Sequence, residues 1–311
     1  MSACALCPRR CGADRAAGQS GFCGVPALPM VCRAAPHFGE EPCISGTRGS
    51  GTVFFSGCTL KCCFCQNYPI SAEGLGKEIT VEHLAEIFLN LQAQGAHNIN
   101  LVTPGQWQPW IIAALDIARA KGLRLPIVCN TGGYETVESV EAWRGYIDIW
   151  LADLKYVSSA LSAELSAAPD YFAEAKPAIE AMMAQAGQYN FARCIDRREN
   201  GAAQFAVFDF VKNAIGTVYL LNNRYTPYYK WAFRGMRDLP LLSSLEEPLT
   251  FLLETGNSPA EATGKREMIE DIAAMIIAEY RSQKLTDATC NNLSTHANSI
   301  TDKIKEVSVR S

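Results

Sequence analysis

The chain has 311 residues, 48% of them hydrophobic and 19% charged, which is enough apolar content for a sizeable core. Its 28 Lys and Arg against 32 Asp and Glu leave a net charge of -4 with no long basic run, which disfavours nucleic acid as a partner. No stretch approaches about 18 consecutive apolar residues, and Cys4, Cys7, Arg9 and Arg10 break the amino terminus before a signal-like core could form, so a cytoplasmic protein without a membrane span is expected.

Residues 1–50 form a Cys-, Gly- and Pro-rich N-terminal extension with little periodicity. The thirteen cysteines are an odd count in a long chain without an export signal, which points to metal binding rather than a disulfide framework. Cys4, Cys7, Cys11 and Cys23 are spaced so that four sulfurs could close a zinc site or saturate an auxiliary iron–sulfur cluster, and the spacing does not choose between them. His37, Glu40 and Glu41 could shape a substrate entrance or simply make a capped turn.

The run Gly51 to Gly57 reads as a buried strand of apolar and β-branched residues. Directly after it come Cys58, Cys62 and Cys65, a C-x3-C-x2-C pattern with Phe64 before the last cysteine. Three such thiolates can hold three irons of a [4Fe-4S] cube and leave the fourth iron open. Zinc knuckles present paired C-x2-C units instead, and here there is one such pair with an offset third cysteine. Cys63 points elsewhere, and Cys32, Cys43, Cys129, Cys194 and Cys290 are taken as packing residues.

Strand-like and helix-like segments then alternate. Val81, Leu84, Phe88 and Leu91 recur at helical spacing, with Thr80 as N-cap and Gly95 as the stop. Ile99 to Thr103 reads as a strand, Pro109 opens a helix with an Ile111, Leu115 and Ala118 stripe, and Lys121-Gly122 closes it. Pro126 to Asn130 is the next strand, Val137 to Trp143 a short helix, and Ile147 to Lys155 a fourth strand. Further strands are expected at Tyr189 to Ile195 and Thr217 to Leu221, separated by a helix from Ala202 to Ile215. This alternation predicts an α/β fold, a partial (β/α)6 TIM-like barrel, over 51–235. Residues 236–311 read as a helical extension, with a capping box at Ser258 to Glu261, a stripe of Ile269, Ile272, Ile276 and Tyr280, and a mobile tail past Arg281.

Alternation along the fourth strand puts Ile147, Ile149, Leu151, Asp153 and Lys155 on one face, tipping its carboxyl end with an acid and a base. Taken with Val128 to Glu135 one β-α unit earlier and with the Cys58 loop, this order resembles the radical S-adenosylmethionine (SAM) superfamily, and within it the pyruvate formate-lyase-activating-enzyme branch. The likeness spans roughly residues 4–187. It includes Cys4-Ala-Leu-Cys-Pro-Arg-Arg-Cys11, His37 to Cys43 and Phe64-Cys-Gln-Asn67.

The resemblance implies a [4Fe-4S] cluster on Cys58, Cys62 and Cys65 that cleaves SAM to a 5′-deoxyadenosyl radical. It also implies Phe64 near the adenine, Asp153, Lys155 and Arg193 facing SAM, and a reducing partner such as flavodoxin or ferredoxin. The substrate would be a glycine of a partner protein, or a small molecule. Two departures stand out. Thr103 and Gln106 occupy a turn where relatives carry an acid, and Asn130 stands where activases place an Asp that helps hold a monovalent cation. A non-catalytic iron–sulfur or zinc protein that senses redox state is the alternative from a different class.

Overall fold

The structure, a computed structural model, describes residues 4–300 apart from 197, 199, 294, 297 and 298. It divides into two compact units, residues 1–153 with 159–169, and residues 154–158 with 170–311.

The first unit contains β1 (Met30–His37), α1 (Pro42–Ser45), β2 (Ser50–Phe55), α2 (Tyr68–Ser71), β3 (Lys77–Glu78), α3 (Val81–Ala93), β4 (Ile99–Val102), α4 (Gln108–Ala120), β5 (Ile127–Thr131), α5 (Val137–Ala142), β6 (Ile149–Ala152) and α6 (Ser159–Ser166). The six strands form one sheet in the order β3-β1-β2-β4-β5-β6. β2, β4, β5 and β6 run parallel, and β1 lies antiparallel to β2 and β3. Parallel register aligns Val53, Leu101, Cys129 and Trp150 on one face, all buried. α3 and α4 pack against each other, and α3 covers β2 and β4. The anticipated stripes supply this layer, with Leu84, Phe88 and Leu91 from α3 and Ile111, Leu115 and Ala118 from α4 fully inside. Thr80 caps α3 by accepting from the His83 amide.

The partial (β/α)6 barrel is not what forms. The sheet is open, with four parallel strands, β1 running against them and β3 at the edge antiparallel to β1, and the strands expected at Tyr189 to Ile195 and Thr217 to Leu221 are helical. The second unit holds α7 (Tyr171–Ala184), a π-helical segment (Gln185–Phe191), α8 (Ala192–Asp196), α9 (Asn200–Leu221), α10 (Tyr229–Met236), α11 (Glu246–Glu254) and α12 (Pro259–Ser282). The physical reason is period. Ala203, Val207, Phe210, Ala214, Val218 and Leu221 fall three or four residues apart and are all buried, so the β-branched Thr217 and Val218 continue a helix instead of starting a strand.

Ile269, Ile272, Ile276 and Tyr280 of α12 join α9 in one apolar core, and the Ser258 and Glu261 capping box is present. β1, which the Gly- and Pro-rich extension concealed, is among the elements the sequence did not announce. Past Arg281, some of the described residues pack inward. Leu293 and Ile300 are buried, and Thr286 meets the His296 ring at 3.0 Å. Residues 301–311 and the side chain of Cys43 lie outside the described set.

Candidate metal centre

The Cys58 loop leaves the carboxyl end of β2 and is held by three devices. Gly57 adopts φ +79°, and a Cβ there would run into Val25 Cγ1 and approach the Cys23 carbonyl to 2.8 Å, so only glycine fits. The Cys63 amide donates to Leu165 O at 2.9 Å, which leaves the Cys63 side chain turned out and exposed. Arg9 reaches from the amino-terminal extension, donating from Nε to Thr59 O at 2.9 Å, from one terminal nitrogen to Ser166 O at 2.9 Å, and from the other to Ala167 O. Its guanidinium stacks 3.7 Å from the centre of the Phe22 ring.

Cys58, Cys62 and Cys65 form no disulfide, and Cys62 and Cys65 both lie close enough to Cys58 to act on it electrostatically. Burial pushes the Cys58 thiol up; the amides of Lys61 and Leu60, the latter 3.3 Å from the sulfur, pull it back, and charge on Cys62 and Cys65 raises it further. Ser71 Oγ donates to Cys65 Sγ at 3.3 Å. Hydrogen bonds of this kind favour the thiolate, the form that binds metal. Among the described residues no three His, Cys, Asp or Glu groups are gathered as around a single metal ion. Ligands of a multi-iron cluster each bind a different iron and need not converge on one point. Three thiols on one loop, with donors already aimed at two of the sulfurs, fit such a cluster by donor chemistry.

The neighbouring strand ends carry the other anticipated positions of the first unit. Thr103 closes β4 at φ +55°, an uncommon conformation for a branched residue, with its amide bonded to Asn130 O at 2.9 Å. Gln106 is buried and acts as a bracket. Its Nε2 donates to Gly57 O and Thr103 O at 2.9 Å each, with Ser56 O at 3.3 Å, tying the exits of β2 and β4 together. Its Oε1 has no hydrogen-bond partner. Asn130 is half-buried at the end of β5, and Asp153 follows β6 with its amide on Thr131 O at 3.0 Å. Phe64 is 55% exposed on the Cys loop. Lys155 and Arg193 belong to the second unit, Arg193 on helix α8 rather than on a strand, so the site is described from the first unit alone.

Two residues escaped the sequence reading. Glu135 is buried against Gly105, where an added Cβ would sit 2.7 Å from both carboxylate oxygens. Thr131 Oγ1 donates to its Oε1 at 2.8 Å, Oε2 has no partner, and burial lifts the carboxyl to about 7. Glu135 comes from the loop after β5 and packs beside the turn after β4; the Thr-x-x-x-Glu spacing was its one sign. Arg15 is buried with its guanidinium 5.4 Å and 5.3 Å from the Trp107 and Trp110 rings. It donates to Gln106 O at 2.7 Å and lies 3.5 Å from Cys4 Sγ and 3.9 Å from Cys23 Sγ.

The amino-terminal cysteines are drawn to the same region. Cys4, Cys7 and Cys23 are buried, Cys11 is exposed, and Cys4, Arg15 and Trp110 help line a cavity of about 200 Å³. Burial pushes the Cys7 thiol up to about 12, against the Arg9 amide, with Glu135, Cys23 and Cys4 adding to the rise. Cys23 is raised by burial and eased by Arg15 and the Val25 amide.

Comparison with known proteins does not uphold the resemblance to the radical SAM superfamily. Residues 148–232 match the family described as Domain of unknown function (DUF4037), a distinct family. An uncharacterized protein of the archaeon Methanocaldococcus jannaschii is 30% identical over 176 residues, covering 54% of this chain and 50% of that protein. The chain therefore spans about half the length of the curated relative it matches. No solved structure matches.

Proposed function

We propose that the loop after β2 carries a [4Fe-4S] cluster on Cys58, Cys62 and Cys65, with one iron open to a small chelating ligand, and that this ligand is SAM. One observation carries the proposal: three thiols of a single loop stand beside the carboxyl ends of parallel strands, with hydrogen-bond donors already directed at Cys58 and Cys65. It rests on this donor set and not on family membership. Held by Cys58, Cys62 and Cys65, such a cluster would supply one-electron reduction of SAM, with the electron drawn from an external reductant and SAM divided into methionine and a 5′-deoxyadenosyl fragment.

The chain's own residues bind and orient. The Leu60 and Lys61 amides and the Ser71 hydroxyl lower the energy of the thiolates. Gln106 fixes the spacing between the β2 and β4 exits. Thr103, Asn130 and Asp153 offer oxygens at three consecutive strand ends, suited to an ammonium or a ribose. A flavodoxin- or ferredoxin-like reductant and a cytoplasmic, reducing location complete the reading. No helix among the described residues is long and apolar enough to cross a membrane.

The test is anaerobic reconstitution with iron, sulfide, SAM and dithionite, scored for 5′-deoxyadenosine. Wild type and Cys63→Ser should produce it, and Cys58→Ala, Cys62→Ala and Cys65→Ala should each fall to background. A reconstituted wild type that holds iron and sulfide yet forms no 5′-deoxyadenosine would move the protein to the redox-sensing class. Failure to hold iron at all would overturn the cluster.

A further inference from the structure

The second unit presents a surface that the cluster reading does not use. Four large aromatic side chains between residues 225 and 231 face solvent, with Tyr225 50%, Tyr228 64%, Tyr229 65% and Trp231 54% exposed. A cluster of apolar rings left in water marks an interaction site more often than it marks packing. These rings are held in place. Val157 donates its amide to Tyr225 Oη at 3.1 Å, and the Tyr228 and Tyr229 centroids lie 4.4 Å apart. Helix α10 is anchored by buried Ala232 and Met236 and by the Tyr219 hydroxyl, which donates to Ala232 O at 2.9 Å. With that side fixed inward, Tyr229, Lys230, Trp231 and Arg234 are left outward.

Charge names the partner. From Phe210 to Arg237 the chain has no Asp or Glu but carries Lys212, Arg224, Lys230, Arg234 and Arg237, in a protein whose net charge is -4. Arg237 is engaged by Glu246 at 2.8 Å, while Arg234 lies 4.9 Å from the centre of the Trp231 ring. Cations interleaved with exposed aromatic faces suit a polyanion that carries flat rings. A phosphate backbone meets the cations, and unpaired bases stack on the aromatics. A duplex hides its base faces, and an acidic polypeptide does not carry a ring beside each of its charges.

We propose that the segment from Arg224 to Arg234 binds single-stranded nucleic acid. The sequence disfavoured such a partner because it holds no long basic run. Helix α10 instead spaces its cations among aromatics on the outward side, which a search for consecutive basic residues does not detect.

The test uses the full-length protein without metal loading, so that it stands apart from the cluster reading. Fluorescence anisotropy of a labelled single-stranded RNA of about twelve uridines should report binding at about 50 mM salt that weakens steeply towards about 200 mM. Tyr229→Ala with Trp231→Ala should weaken it roughly tenfold or more, and Trp231→Phe, which keeps a stacking face, should stay near wild type. Lys230→Ala with Arg234→Ala should flatten the salt dependence. The proposal is overturned by absence of binding at low salt, by undiminished binding in the Tyr229/Trp231 double variant, or by tighter binding to a duplex of equal length or to anionic lipid vesicles.

Discussion

Glu180 in α7 is fully buried, and burial lifts its carboxyl from 4.5 to about 7, only partly offset by Lys176 one turn away and by the hydroxyl of Tyr280. Neither of its oxygens is in good hydrogen-bond geometry. A carboxyl raised in the folded state stabilises the fold fully below its unfolded value near 4.5, and that stabilisation is lost as pH rises through about 7. The wild type should therefore lose on the order of 2 kcal/mol between pH 5 and pH 8 from this group, by the linkage of about 1.4 kcal/mol per pKa unit. Glu180→Gln removes this ionisation and should reduce the fall by about half, the remainder coming from Glu135, whose carboxyl burial lifts over the same range. An equally steep fall in the variant would show that another group sets the slope.

At the scale of elements, the disputed stretch is the end of α9. Gly216 lies within this helix, and a Cβ there would meet no atom within 4 Å. Gly216→Ala should then stabilise the protein by about 0.5–1 kcal/mol, through helix propensity alone. A loss of stability would favour the strand that the β-branched Thr217 and Val218 suggested. The comparison exposes what patterning can carry. α3, α4, α12, β2, β4 and β5 were legible because caps, stripes and short apolar runs agreed locally, as at Thr80, Ser258 and Ile99. The 189–221 stretch was not, because a helix buried nearly all round and an interior strand are both near-continuous apolar runs. Glu135 and Arg15 were not legible either, since their meaning depends on partners about 30 and 90 residues away in sequence, Gly105 and Gln106.

The amino-terminal extension of the whole molecule has almost no apolar periodicity of its own. It is held to the first unit by Arg9, Arg15 and Val25, the last beneath Gly57. A metal on Cys4, Cys7, Cys11 and Cys23 would add folding free energy where packing is thin. Elemental analysis of a Cys58/Cys62/Cys65 triple-Ala variant tests this. About one zinc per chain identifies a structural knot, whereas about four irons with sulfide identify a second cluster. A folded, anaerobically prepared variant with neither metal leaves the four cysteines as ordinary reduced thiols.

Arg9 also sets a timetable for synthesis. One of its partners, Ala167, lies 158 residues downstream. At ~5–20 residues per second the ribosome needs roughly ten to thirty seconds to deliver that partner. Through this interval the amino-terminal thiols and then the Cys58 loop are outside the ribosome without the clamp that later closes over them. The nascent chain is therefore open to metal delivery, and to oxidation, for a window that ends when residue 167 emerges.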